Sequence, residues 1–438
     1  MAVACTNLVQ GQDGTDDADS VVGSATYTTG RLYLLTICSR ADAVQPTISS
    51  ISAPTGSGIT WTIIGAANNF DASGSRRTMF LYRGVPSSTV TSGFTITWGA
   101  TQTAKTWNVD EITGMDTSGT QGSGAIVQQV PGAGASVTSL TITLGAFGNA
   151  SNATYGAFGN AGEGALTAGA GFTRFGNQRL AGEAGVGTEF LATNDTTVDM
   201  SNGTMDIGGI AIEIAIAPRV VRTSTGSISS ATSGNITLDC TGGDLVVIGW
   251  SAFDTTLADR TASTVTVGGA SATIVAGSKA DNTTSNGQAQ LAYYIAPSTG
   301  SQTVTLTMGG TCTNVDWYAS LVTGAKQSGQ PDVQGQNTTT AGTSCTVTVT
   351  TATDNALLFD AMNGNVGPMT PNASQTSIMN LSGSTGRGSY KGTTTAGSYS
   401  MIYTTAGSDD YALGVIAIAK ASSSSTTYPG YYGSGGYF

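Results

Sequence analysis

Apolar and polar residues alternate with a period of two through most of this chain. In the segment GIAIEIAIAP, Ile210, Ile212 and Ile214 fall on one face of an extended strand, and Ala211 and Glu213 fall on the other. Apolar residues alternate with threonine in SLTITLG, FTITWG, QTVTLTMGG and CTVTVTT. Helical spacing of apolar residues is almost absent, and Gly-rich turns separate the alternating segments. The pattern predicts an all-β protein of short antiparallel strands.

An internal repeat is the second constraint. RLYLLTIC from Arg31 matches DLVVIGWS from Asp244, and EITGMD from Glu111 matches LVTGAK from Leu321. FLYRGVPSS also matches AYYIAPST, SLTITL matches SCTVTV, and GGIAIEI matches LGVIAIA. The order is kept and the offset stays at roughly 205 to 213 residues. A duplicated unit of this size is large enough to be a domain with its own core.

The repeat predicts two tandem antiparallel β-sandwich domains of jelly-roll or immunoglobulin-like type, followed by a flexible tail. The first domain spans residues 1–217 and the second spans residues 219–421. Pro218 falls between them, because a proline cannot donate to a strand ladder and fits just outside a strand. Residues 422–438, SSSSTTYPGYYGSGGYF, are too rich in Gly and Ser to fold alone.

The Gly/Ser/Tyr-rich tail is also the predicted interaction segment. Tyrosine buries a large area at low side-chain entropy cost and keeps a polar tip. An arm that docks on a neighbouring subunit is therefore one interpretation, and an unattached terminus is the other. The predicted interaction residues are Tyr428, Tyr431, Tyr432, Tyr437 and Phe438.

Charge is scarce and negative, which excludes several partner classes. Charged residues make up 10% of the chain, and the net charge is −11 with only 16 Lys and Arg. Nucleic-acid binding needs clustered basic residues, so we expect no nucleic-acid partner. No basic amphipathic stretch and no apolar run near membrane-spanning length occurs, so we expect no membrane insertion. The N-terminus lacks the basic and apolar regions of a secretory signal, which predicts synthesis and folding in a cytoplasm without a signal peptide.

The chain contains no histidine, which removes Ser-His-Asp and Cys-His catalysis and His-ligated zinc. Paired carboxylates, as in glycosidases, are the one catalytic device that remains. The adjacent acids Asp110 and Glu111 match Ser320 and Leu321 in the second half, so the repeat shares no acid pair. We therefore predict no catalytic residue, no bound cofactor and no enzymatic activity.

Metal binding has two weak candidates. Four acids lie within seven residues near the N-terminus, Asp13, Asp16, Asp17 and Asp19, and a second cluster, Asp195, Asp199 and Asp206, lies near the end of the first repeat. Calcium takes six to eight oxygen ligands, which aspartates and loop carbonyls supply. The spacing is not that of an EF-hand, so a solvated acidic loop is the alternative to a calcium site. The five cysteines form no CxxC pair, which argues against a metal cluster, and a Cys312–Cys345 disulfide stays open at this point.

Two tryptophans match between the halves. Trp107 and Trp317 each precede the ITG or VTG turn by a few residues. A shared tryptophan position favours core packing, and a stacking platform for carbohydrate is the alternative.

The segment WNVDEITGMDTSG, with its counterpart WYASLVTGAK, is similar to a strand-and-turn element of the β-sandwich repeat proteins of tailed-bacteriophage virions. GSYKGTTTAGSYSMIYT resembles a strand–turn–strand unit of the same head-decoration or tail-appendage proteins. The resemblance covers elements of both halves. It implies a non-catalytic structural role and supplies no catalytic residues to carry over.

The resemblance implies a structural protein of a virion surface, which decorates or stabilises a phage head or forms part of a tail or fibre. Its expected partners are further copies of the chain in a homo-oligomer and other virion proteins, such as a major capsid or tail protein. A glycan-binding lectin- or adhesin-like module is the alternative from another class, with a glycan as its partner. A subunit of a surface layer or filament is a further alternative.

Overall fold

Antiparallel strands make up most of the computed structural model and helices very little of it, which confirms the all-β prediction. The structure describes residues 3–71, 75–147, 149, 151–162, 164–295, 297–364, 369–380 and 386–421. The described chain divides into two units. The first comprises residues 3–147 and 152–216, and the second comprises residues 149, 151 and 217–421.

The first unit begins with nine strands in two sheets. They are β1 (Ala4–Asp13), β2 (Asp17–Tyr27), β3 (Leu32–Ala41), β4 (Ile48–Ile51), β5 (Thr62–Ile63), β6 (Asn68–Asp71), β7 (Arg76–Gly84), β8 (Val90–Gln102) and β9 (Ala104–Thr113). The larger sheet has the order β1-β9-β3-β7-β5, with β6 also paired to β7, and the smaller sheet has the order β2-β8-β4. The chain therefore crosses repeatedly between the two sheets, with β1, β3, β7 and β9 in the larger sheet and β2, β4 and β8 in the smaller one. We call these nine strands copy one.

The rest of the first unit repeats this order, and we call it copy two. A 3-10 segment at Thr120–Ala125 precedes it. Its strands are β10 (Ile126–Thr143), β11 (Ala153–Asn160), β12 (Thr167–Ala168), β13 (Thr173–Leu180), β14 (Ala184–Leu191) and β15 (Thr197–Ile214). The sheet order is β10-β15-β11-β14-β13, and β12 pairs with β15. The long strand β10 takes the place of β1 and β2, and β15 takes the place of β8 and β9.

The second unit contains the order twice more, as copies three and four. Copy three consists of β16 (Arg219–Cys240), β17 (Leu245–Phe253), α1 (Leu257–Arg260), β18 (Ala262–Val267), β19 (Ala270–Ser271), β20 (Thr273–Ile274), a 3-10 turn (Ala276–Ser278), β21 (Ala280–Asn282), β22 (Gly287–Ile295) and β23 (Gly300–Thr323). Copy four consists of β24 (Val333–Thr351), β25 (Leu357–Gly364), β26 (Thr370–Pro371), β27 (Thr376–Asn380), β28 (Gly386–Gly392) and β29 (Gly397–Ile418). Their orders are β16-β23-β17-β22 and β24-β29-β25-β28-β27. Each of the two halves that repeat in sequence therefore contains two copies of the fold.

We call the sheet that contains β3, β11, β17 or β25 the main sheet of its copy. These four central strands are buried on both faces. Within the first unit, Leu34 and Leu81 of copy one pack against Ile212 and Val186 of copy two, and we call such a shared layer the inner core. A matching inner core joins the sheets of copies three and four. On its other face, each main sheet packs against its own smaller sheet or folded-back strand ends, and we call this layer the outer core. Alternating side chains of one strand therefore enter two different cores.

The strand at Ile210 shows how alternation decides this placement. Ile210, Ile212, Ile214 and Ile216 all enter the inner core, whereas Ala211 enters the outer core. The stiff β-branched isoleucine side chain suits a pleated, buried surface. The predicted strand with a buried isoleucine face is confirmed.

One sequence match shifts by a residue in the structure. Matching GGIAIEI with LGVIAIA pairs Ile212 with Ala417. In the sheets, Ile212 lies opposite Tyr155, and Ile416 lies opposite the equivalent Phe359. Ile212 and Ile416 both face an inner core. A slip of one residue exchanges the two faces of a strand, so the structural equivalence is the one that preserves burial.

Candidate functional site

The turn between β1 and β2 carries the residues predicted as weak calcium candidates. Asp13 ends β1 and Asp17 begins β2, while Asp16 and Asp19 are exposed to solvent. The ammonium of Lys105, on β9, lies 3.0 Å from Asp13 Oδ2 and also contacts the Asp17 carboxylate. The structure therefore brings Asp13 and Asp17 together around a lysine, with Asp16 and Asp19 outside that ion pair.

Lys105 supplies the positive charge of this turn. Its side chain is fully buried, and its ammonium donates a 2.8 Å hydrogen bond to the Thr15 carbonyl. Burial alone would raise the pKa of Asp13, but hydrogen bonds from Thr15 and Lys105 and the lysine charge hold that pKa below its ordinary value. An ammonium that bonds both carboxylates disfavours a second cation in the same place. In the described part of the chain, no group of three or more Cys, Asp or Glu side chains is placed to hold a metal ion, and calcium stays a prediction.

An open groove of about 510 Å³ follows β1 and β2, the outermost strands of their sheets. Its polar lining includes Gln10, Gln12 and Asp19, and its apolar lining includes Val21 and Trp107. Val21 is 73% exposed. Amide and carboxylate groups of this kind donate and accept hydrogen bonds to hydroxylated ligands.

The matched tryptophans are core residues, as the sequence favoured. Trp107 and Trp317 are 5% and 0% exposed and belong to the outer cores of copies one and three. A glycine lies opposite each of them in the ladder, Gly11 in copy one and Gly226 in copy three. A Cβ at Gly11 would lie 2.6 Å from the Trp107 ring, so the missing side chain makes room for the indole. Trp317 therefore presents no face for stacking a sugar, and Trp107 contributes only the small exposed part of its ring to the groove.

The adjacent acids of β9 do not form a pair. Successive residues of a strand point to opposite faces, so Asp110 and Glu111 cannot flank one scissile bond as a glycosidase pair does. Glu111 pairs with Arg31 and accepts a 2.5 Å hydrogen bond from the Tyr33 hydroxyl. The geometry gives no support to a paired-carboxylate centre at these two residues.

Asp110 is the centre of a buried hydrogen-bond network in the first unit. Burial raises the pKa of Asp110, and its hydrogen bonds oppose that shift. Because all of the donors are themselves held by packed strands, the network has a structural role. The donors and their distances to the carboxylate are Thr188 Oγ1 (2.6 Å), Asn108 Nδ2 (2.7 Å), Tyr155 OH (2.9 Å) and Asn7 Nδ2 (3.1 Å).

Two further carboxyls lie in the outer cores of copies two and four. Each main sheet has one central strand, and its fourth residue faces the outer core: Leu35, Gly156, Ile248 and Asp360 in copies one to four. Their ladder neighbours on the next strand are Tyr82, Glu189, Ala292 and Ser389. The same pair of positions therefore carries a carboxyl in copies two and four, and none in copies one and three.

The two carboxyls reach this position from neighbouring strands. In copy two the side chain comes from Glu189, and a Cβ at Gly156 would lie 2.9 Å from its Oε1. In copy four it comes from Asp360, whose neighbour Ser389 donates hydrogen bonds of 2.7 Å from its amide and 2.6 Å from its hydroxyl. Burial raises the pKa of Glu189 to about 8 and that of Asp360 to about 7.

Sequence reasoning missed this pair of carboxyls. The signal that was available is an acid inside an apolar strand, in LLFDAMN for Asp360 and in GVGTEFL for Glu189. Their equivalence is invisible in the sequence, because the two acids occupy non-equivalent chain positions on adjacent strands.

The five cysteines are all buried and free, so the Cys312–Cys345 disulfide is not formed. Burial raises the pKa of Cys38 and of Cys312 to about 12. Thiols in this state hold little reactive thiolate near neutral pH. The predicted interaction residues of the tail, within 422–438, lie outside the described residues.

In the part of the chain that the structure describes, no helix has the length and apolar character needed to cross a membrane. No protein-family model matches the sequence, and no curated protein matches it.

Proposed function

We propose that this chain is a non-enzymatic structural protein of a virion surface, which decorates or stabilises a phage head or forms part of a tail or fibre. The observation that carries the proposal is the recurrence of one strand order four times among the described residues, an order that we assign to a jelly roll. Viral capsid domains are among the common users of the jelly roll. The resemblance of the segment from Trp107 to phage virion proteins points in the same direction.

The surface chemistry supports close packing against neighbours. Cross-strand hydroxyl pairs lie on the exposed face of the β24–β29 ladder, with Thr348 2.8 Å from Ser400 and Thr350 2.9 Å from Ser398. These four side chains carry hydrogen-bonding groups and no charge. Low surface charge weakens the repulsion between identical copies, which favours a homo-oligomer or a lattice with other virion proteins.

Cryo-electron microscopy of native particles, with peptide mass spectrometry of the same preparation, tests this proposal. We expect the chain to co-purify with particles in a fixed ratio to a major capsid or tail protein. Four jelly-roll copies per chain should then be seen at symmetric positions on the exterior. A preparation of intact particles that lacks the chain would overturn the proposal.

The groove along β1 and β2 favours a second candidate, a glycan-binding module. Its amide and carboxylate groups, with Gln12 and Asp19 exposed, suit a neutral hydroxylated ligand. A glycan array probed with the full chain tests it. Specific binding that Gln12→Ala and Asp19→Asn both weaken, while the fold stays intact, would favour this candidate over a purely structural role.

A further inference from the structure

The long last strand of copy two, β15, carries an asparagine–glycine pair at the point where its ladder is interrupted. We propose that Asn202 is a site of spontaneous modification, at which the backbone nitrogen of Gly203 attacks the asparagine side chain and ammonia leaves. The reaction converts Asn202 to a mixture of aspartate and isoaspartate. Water is the one co-reactant, so no enzyme is needed.

The chemistry uses only atoms of these two residues and water. The Gly203 nitrogen forms a bond to Asn202 Cγ, and the bond from Cγ to Nδ2 breaks. The amide proton of Gly203 leaves with Nδ2 as ammonia, and a cyclic imide remains. Water then cleaves one of the two ring bonds to nitrogen, which gives aspartate or isoaspartate. Glycine favours the attack, because it has no Cβ beside the attacking nitrogen and its backbone rotates freely.

The same pair of residue types occurs three times in the chain, which provides an internal comparison. The other two pairs lie at the start of β22 and at the end of β25. Because the reacting residues are identical, any difference in rate between the sites comes from the surrounding fold. The three pairs are Asn202–Gly203, Asn286–Gly287 and Asn363–Gly364.

The backbone at Asn202 lies outside the ladder. Ser201 pairs with Ser139 and Met205 pairs with Val137, so the register passes over residues 202–204. Such an interruption leaves backbone groups unpaired and bends the strand. Copies three and four have the same kind of corner in their long ladders, and the residues passed over there include no asparagine. Copy two therefore places a reactive pair where the fold leaves the backbone least constrained.

Hydrogen bonds do not hold the Asn202 side chain. Its Oδ1 and Nδ2 have no hydrogen-bond partner among the described residues. The side chain can therefore turn towards the Gly203 nitrogen without breaking a bond. Gly203 itself is exposed, so water reaches the site and ammonia can leave. The site combines an unbonded amide, an unpaired backbone and access to solvent.

The pair at Asn363 has the same residue types in a closed environment. Asn363 is buried, and its Nδ2 donates hydrogen bonds of 2.8 Å to Ser251 Oγ and 3.4 Å to the Ala252 carbonyl. Gly364 is paired with Tyr411 in the ladder. The attack would have to break these side-chain bonds and move a paired strand, so we expect slow conversion here.

The pair at Asn286 is held by its backbone. Gly287 is paired on both sides, with Phe253 and with Asn282. The Asn286 carbonyl accepts a 3.2 Å hydrogen bond from the Asp254 amide, and Asn286 has a φ of 57°. The rotation that brings the Gly287 nitrogen to the side chain would disturb both ladders, so this pair should also convert slowly.

The products change both the charge and the main chain of the copy-two corner. Either product adds a carboxylate to a strand that already carries Asp199 and Asp206, and isoaspartate also lengthens the main chain. Asp206 Oδ1 accepts a 2.8 Å hydrogen bond from the Ser136 amide near the same corner. Modified chains should therefore separate from unmodified chains as acidic forms on ion exchange.

Peptide mass spectrometry of the full chain, aged in its folded state at mildly alkaline pH and digested in acid, tests the proposal. We expect Asn202 to convert at least about tenfold faster than Asn286 and Asn363, because opening their ladders adds to the barrier of each reaction. Fragmentation spectra should show both aspartate and isoaspartate at residue 202. In concentrated urea the three sites should convert at similar rates. A folded chain in which Asn202 converts no faster than the other two asparagines would overturn the proposal.

The variant Gly203→Ala tests the role of the attacking residue. A Cβ at Gly203 would meet only Met205 Cε, at 3.4 Å, so the fold has room for the alanine. Conversion at Asn202 should fall by about tenfold or more, because the added methyl group hinders the attack, while Asn286 and Asn363 keep their rates. The matched control is Thr204→Ala, which changes an exposed neighbour and should keep the wild-type rate at Asn202. Conversion in Gly203→Ala as fast as in the wild type would contradict attack by the Gly203 nitrogen.

Discussion

Copies one and three differ from copies two and four in the chemistry of one outer-core position. The odd copies fill it with Leu35 beside Tyr82 and with Ile248 beside Ala292, and they add a buried tryptophan nearby. The even copies place a carboxyl there. Strand order depends on alternation and turns, which both kinds of core satisfy. Similarity in sequence requires the same residue types in the core. Copy one therefore resembles copy three in sequence, and copy two resembles copy four.

The largest expected effect comes from the tryptophans that distinguish the odd copies. Trp317→Ala and Trp107→Ala should each lower the free energy of unfolding by about 3–5 kcal/mol, because each leaves a large cavity in an outer core. Urea unfolding followed by circular dichroism measures this. The matched Trp→Phe variants should cost clearly less. If Trp107→Ala left stability unchanged, Trp107 would not be the core residue described above.

Particular residues show which features of the four copies could be predicted from the sequence. The alternation at Ile210 to Ile216 predicted a strand and its buried face correctly, because side-chain direction has a period of two. The recurrence of the fold within each half was not predicted, since Leu35 and Gly156, or Ile248 and Asp360, share a position without sharing a residue type. The carboxyl pair was missed for a related reason, because Glu189 and Asp360 enter one location from adjacent strands.

The acidic turn shows the same limit. Its acids were visible in the sequence, but their cation was not, since Lys105 is far away in the chain and reaches Asp13 and Asp17 only when β1 and β9 pair. In copy three the position equivalent to Lys105 is Val315, opposite Ile228. Copies one and three therefore share a fold at this position without sharing its charge.

A smaller effect is expected where copy one departs from copy three, at Lys105. Lys105→Met should lower the free energy of unfolding at neutral pH by about 2 kcal/mol, because it leaves two carboxylates without their cation. The loss stays below that of a fully buried pair, since Asp13 and Asp17 are partly exposed and can be hydrated. Thermal melting at pH 7 measures it. In an Asp13→Asn/Asp17→Asn background the same change should cost much less, and an equal cost there would contradict the ion pair.

Calcium should have a still smaller effect on the wild type. Because Lys105 already bonds both Asp13 and Asp17, neither calcium nor a chelator should shift the melting temperature measurably. Calorimetric titration with calcium checks this directly. Saturable heat that Asp13→Asn abolishes would show that the ion displaces the lysine, and would restore the calcium site as a functional feature of copy one.

The smallest effect on stability is expected from the tail. Truncation after Ala421 should leave the melting temperature unchanged, because the last strand of copy four ends at Ile418. Incorporation of the truncated chain into particles should fall if the five aromatic residues dock on a neighbour. Melting and particle incorporation, measured on the same preparation, separate the two roles. A lost melting transition would show that the tail is part of the fold.

The most direct test of the contrast between even and odd copies is urea unfolding of the full chain at pH 6 and pH 9. The comparison is between the wild type and the double variant Glu189→Gln/Asp360→Asn. The wild type should lose a few kcal/mol of unfolding free energy at pH 9, since each pH unit below a carboxyl's folded pKa is worth about 1.4 kcal/mol. The double variant should lose much less. Equal losses in the two proteins would contradict the account, because the carboxyls of copies two and four would then not be the protonated groups that set those copies apart.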